Sequence, residues 1–103
     1  MKEKVIKYKY LQIICELCEK KKHGDKKYMN MYVELITRCL ENPISDDQIS
    51  EKHHILCVCL KGPNDKENYV RLTTYDHIKA HILLKYIYQT EKIIKLFLSS
   101  HDR

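Results

Sequence analysis

Little in this chain breaks a helix: two glycines and two prolines stand among its residues. That scarcity predicts long helices and few loops, since these two residues are the usual chain breakers. Also missing is any apolar run near the ~20 residues that a membrane-crossing helix needs. The opening "MKEKVIKYKY" lacks the apolar core of a secretory leader. These absences lead us to expect a chain that stays inside a cell (the cytoplasm, or the host cell if the source is viral) with no membrane partner. The five cysteines, Cys15, Cys18, Cys39, Cys57 and Cys59, are an odd number. Thiols stay reduced inside cells, so no disulfide framework is expected. No internal repeat or low-complexity segment is present.

What the chain does have fits one globular unit. Its 103 residues suit a single domain with a modest core, and a hydrophobic fraction of 44% excludes a disordered chain. Nineteen basic against 14 acidic side chains give a net charge of +5. That is a mild footprint for a polyanion such as DNA, and equally what a soluble basic surface shows.

Residues 4 to 22 read as a helix with Leu11, Ile14, Cys15 and Cys18 on one side, although "KYKY" alternates as a strand does. "KKHGDKK" interrupts it. From Tyr28 to Glu41, Met31, Tyr32, Leu35, Ile36, Cys39 and Leu40 recur at helical spacing. Pro43 ends that helix, having no donor and pushing Asn42 out of helical space. Two short apolar runs follow, "HHILCVCL" and "NYVRL", joined by a turn-rich "KGPNDKE", which predicts a β-hairpin. In "TTYD", Thr73 with Asp76 three residues on matches a helix start. The final helix should run from about Thr74 towards Ser99. It is apolar on most sides, so it is either central to the core or covered by a second subunit. The expected organisation is a helical region over residues 1–50 and a hairpin-and-helix core over 51–99, within one compact domain.

Four of the six histidines fall in that core. His77 and His81 are four apart on a predicted helix, so their imidazoles share a face at a spacing that grips one metal ion. Such pairs are common by chance; here the order strengthens the reading, with a histidine pair, a turn, an Asn, a helix start and two more histidines in succession. His53 is the natural third ligand, and three ligands leave the open position of a catalytic site. His54 points to the other face of a strand. Imidazole is often unprotonated near neutral pH, so His54 can take a proton from water.

The stretch "EKHHILCVCLKGPNDKENYVRLTTYDHIKAHILL", residues 51 to 84, resembles the core of HNH endonucleases, above all the small phage-type members. The likeness rests on the "HHI" pair, the "NDKEN" turn, the "VRLT" helix start and the "DHIKAHILL" run. Cys57 stands where the family usually has proline, and "KG" at Lys61 and Gly62 where it has two glycines; neither position carries chemistry. The resemblance implies an α+β, ββα-metal fold. It implies His54 as general base, Asn68 as the residue that braces the loop bearing that base, and His53, His77 and His81 as metal ligands. It also points to a viral or phage source.

The resulting expectation is a metal-dependent DNA endonuclease that nicks, or cuts both strands as a homodimer through the final helix. One divalent ion would serve, zinc, nickel, manganese or magnesium, with imidazoles favouring the borderline metals over magnesium. The alternative is a non-catalytic zinc-stabilised module for DNA binding or interaction. Cys15-x-x-Cys18 has the spacing of a zinc knuckle, and Cys57 and Cys59 offer a second pair. Two thiols two apart on a strand also look like core residues, which is the reading preferred here. His23 and His101 read as solvated, and the lysines around Gly24 as a charged face able to track a phosphate backbone.

Overall fold

The structure, a computed structural model, describes residues 7–21 and 26–87, apart from the side chains of 19–21 and 59. His23, His101, part of the lysine cluster and everything after Ile87 lie outside these described residues. Helix α1 spans Lys9–Lys21 and α2 spans Lys26–Glu41. Strands β1 (Glu51–His54) and β2 (Tyr69–Leu72) pair antiparallel, and α3 (Thr74–Ile87) closes the described chain. Strand, strand and helix make the expected ββα unit, and with α1 and α2 the described residues are α+β.

Local chemistry sets the boundaries. Gln12 donates its backbone N–H to the Tyr8 carbonyl, so "KYKY" feeds a helix and not a strand. At the end of α2, the backbone and side-chain nitrogens of Asn42 both donate to the Arg38 carbonyl, and Pro43 blocks a further turn. Thr73 caps α3: its hydroxyl accepts from the Asp76 N–H at 3.1 Å, and its carbonyl from the His77 N–H.

The hairpin is shorter than the sequence predicts. β1 stops at His54, and "HHILCVCL" leaves the sheet because the Asn68 side chain takes over the Leu56 backbone. Its Oδ1 accepts from the Leu56 N–H at 2.8 Å, and its Nδ2 donates to the Leu56 carbonyl at 3.0 Å. A 3-10 turn over Val58–Leu60 follows, ending at Lys61 with φ 68° in the left-handed region. Cys57 and Cys59 are therefore not strand neighbours sharing a face. Cys57 packs against the core and lies in a disulfide, which corrects the expectation of uniformly reduced thiols. Cys15, Cys18 and Cys39 are outside any disulfide.

One core joins these elements. Leu11, Ile14 and Cys18 of α1 meet Met29, Tyr32, Leu35 and Ile36 of α2, then Val70 and Leu72 of β2, and Ala80, Leu83, Leu84 and Ile87 of α3. The inward positions of α2 run through Met29, leaving Met31 exposed. On α3 the buried positions follow i, i+3, i+4, i+7 from Ala80, which turns Ile78 and Ile82 out to solvent. His77 and His81 lie along the edge of the inward half. No helix of the described residues is long and apolar enough to cross a membrane.

Candidate metal centre

In the hairpin register His53 pairs with Val70, and His54 with Tyr69. Strand alternation therefore puts Glu51 and His53 on one face with Val70 and Leu72. Lys52 and His54 fall on the other face with Tyr69 and Arg71. Helix α3 lies across the first face and delivers His77 and His81 to it. One potential ligand atom from each of His53, His77 and His81 lies within 4.8 Å of the other two. The ring centroids are 5.1 Å apart for His53–His77, 5.0 Å for His53–His81 and 4.7 Å for His77–His81.

Hydrogen bonding decides which nitrogen His53 and His77 can offer. His77 Nδ1 lies 2.7 Å from Glu51 Oε1. A carboxylate only accepts, so this nitrogen carries the proton and Nε2 carries the lone pair. His77 Nε2 in turn lies 3.0 Å from His81 Nε2, so both rings aim that atom at the same spot. Tyr32 is wholly buried and donates its single proton to the Ile55 carbonyl at 2.9 Å. Its oxygen then accepts from His53 Nε2 at 2.8 Å, which leaves the His53 lone pair on Nδ1. His53 and His77 thus hold tautomers fixed by contacts outside the cluster, whereas His81 Nε2 meets His77 itself.

The electrostatics agree. Burial first, and then the nearby His81, His77 and His54, hold the His53 imidazole well below its ordinary value, so it stays neutral. Hydrogen bonds from His77 and then Thr74 hold the Glu51 carboxyl below the usual carboxylate range, so it stays charged. Three imidazoles beside a second-layer carboxylate fit a borderline divalent cation such as zinc or nickel.

His54 stands apart from this cluster, partly exposed, with Nε2 3.0 Å from Asn64 Oδ1. Asn68 is fully buried. Besides its two bonds to Leu56 it donates to the Pro63 carbonyl at 3.0 Å, tying the loop after β1 to the turn before β2. The structure therefore brings His53, His77 and His81 together, puts His54 on the opposite strand face, and makes Asn68 a bracket for the intervening loop. Sequence reasoning missed Glu51 and Tyr32. Period-two alternation could have flagged Glu51, which shares a face with His53; nothing marked Tyr32 as more than core.

Comparison with known proteins adds a second line of support. Probable mobile endonuclease E of Enterobacteria phage T4 is 39% identical over 71 residues, covering 68% of this chain and 49% of that protein. Probable mobile endonuclease B of the same phage is 40% identical over 70 residues, covering 64% of this chain and 26% of that protein. The chain belongs to an HNH-type endonuclease family. A third relative, an uncharacterized 38.5 kDa protein in psbA intron 1 of Chlamydomonas moewusii, is 38% identical over 66 residues, 64% of this chain and 18% of that protein. The chain thus spans about half the length of the first relative and less of the other two. No family profile and no solved structure matches it.

Proposed function

We propose that the chain is a metal-dependent HNH endonuclease that hydrolyses phosphodiester bonds in DNA. The observation that carries this reading is the convergence of three imidazoles on one face of the hairpin, with a fourth, partly exposed histidine at the neighbouring strand position. His53, His77 and His81 would hold one divalent ion. When bound, that ion supplies a Lewis acid for a phosphate oxygen and for the departing 3′ oxygen. His54 takes the proton from the attacking water. Asn68 keeps the loop beyond His54 in register by holding both backbone polar groups of Leu56.

One such site cuts one strand. Cutting both strands at once takes two copies, and we place their contact on the exposed α3 stripe of Tyr75, Ile78 and Ile82. Sedimentation of the protein with Ile78→Lys and Ile82→Lys tests this: a fall to monomer, with nicking retained, supports the contact.

Incubating supercoiled plasmid with the protein and Mg²⁺, Mn²⁺, Ni²⁺ or Zn²⁺ tests the main reading. Open circles should form in at least one metal. His54→Ala should abolish them while retaining the bound metal. DNA binding without cutting in every metal would instead point to a zinc-stabilised binding module.

A further inference from the structure

We propose that Asn64, held in place by Tyr69, is a positioning residue for His54 that makes Nδ1 the proton-accepting atom; this rests on the nuclease reading above. A general base works only if its lone pair faces the water it activates, and a neutral imidazole has two ways of placing that lone pair. The outer face of the hairpin selects one. Asn64 Oδ1 lies 3.0 Å from His54 Nε2, and an amide oxygen can only accept, so Nε2 carries the proton and Nδ1 the lone pair.

The amide is itself oriented. Tyr69 Oη lies 3.1 Å from the same Oδ1 and donates to it, so one oxygen collects both protons. Tyr69 is fixed in turn by its neighbours. It stands opposite His54 in the strand register, its ring meets the His54 ring edge-on with centroids 4.9 Å apart, and the Lys52 ammonium lies 4.2 Å from its ring centroid. Were the amide turned round, its nitrogen would donate to Nε2 and the ring proton would sit on Nδ1. The two arrangements are opposite in consequence and separable by measurement.

Nitrogen-detected NMR of the zinc-loaded, ¹⁵N-histidine-labelled full chain reads the tautomer directly. His54 should be protonated at Nε2 in the parent protein and become a mixture of tautomers in Asn64→Ala. Asn64→Asp keeps an acceptor oxygen and should restore the single form. Unchanged signals from His53, His77 and His81 show that the fold and metal centre survive. On plasmid, Asn64→Ala should lower kcat about tenfold with KM within about twofold, a fraction of the ~10²–10⁴ that a general base supplies, and Tyr69→Phe should give a smaller fall. A parent His54 protonated at Nδ1, or an Asn64→Ala spectrum identical to the parent, overturns the inference. So does full cutting by Asn64→Ala where His54→Ala is inactive, and in that case the nuclease reading stands. If the parent protein cuts in no metal the nuclease reading fails, and the spectrum still decides how His54 is held.

Discussion

At the scale of single residues, the candidate metal centre depends on groups outside its three imidazoles. Glu51 Oε1 fixes the His77 tautomer from 2.7 Å, and removing such a partner typically weakens binding about 10–100-fold. Glu51→Ala should therefore lose zinc affinity by that order in a chelator competition, and Glu51→Gln, which still accepts a hydrogen bond, should lose less. His53 gives a pH dependence of definite sign. Its imidazole is held well below 6.5 in the folded protein, whereas the unfolded chain takes up a proton near the ordinary value. The unfolded state therefore binds more protons as pH falls below about 6.5, and stability is full above that pH and declines beneath it. Urea unfolding of metal-free protein should show a lower midpoint at pH 5.5 than at pH 7.5, and His53→Gln should flatten the difference.

Among the elements, the loop between β1 and β2 is gathered around the Asn68 side chain. Asn68 makes three hydrogen bonds from a fully buried side chain, to both polar groups of Leu56 and to the Pro63 carbonyl. Asn68→Ala leaves those groups buried without partners and should cost about 3 kcal/mol in a denaturant titration. Gly62 crosses the same carbonyl: a Cβ there would stand 1.8 Å from the Leu56 oxygen. That contact is with backbone, so the loop must move, and Gly62→Ala should cost about 2 kcal/mol or more. The double variant should cost less than the sum, because each substitution already releases the same peptide. Arg71 plays a similar part on the other side of the hairpin. Its guanidinium binds the Ser50 hydroxyl and the Ile44 carbonyl, strapping the connection after α2 to β2.

For the whole molecule, the proposed nuclease reading and a net charge of +5 together predict that binding to DNA is largely electrostatic. Each phosphate neutralised by a basic side chain contributes about −0.9 to the slope of log affinity against log salt. Affinity measured by fluorescence anisotropy should fall linearly on that plot. Replacing Lys52, which lies on the His54 face of the hairpin, should reduce the slope by about one.

Local signals were enough to locate the elements and the four histidines. Thr73 with Asp76 marked the start of α3, Pro43 marked the end of α2, and the i, i+4 spacing put His77 and His81 on one helix face. Strand alternation separated His53 from His54. These follow from backbone geometry that depends on neighbours within a few positions, so the sequence alone carries them. Packing decided the rest. Which side of α3 turns inward, why β1 stops at His54, and how Glu51, Tyr32 and Asn64 fix the proton on His77, His53 and His54 are set by contacts between residues 10 to 26 positions apart. A carboxylate, a phenol and an amide become tautomer-setting groups only when the fold brings them within hydrogen-bond distance of a ring, and no local pattern encodes that distance.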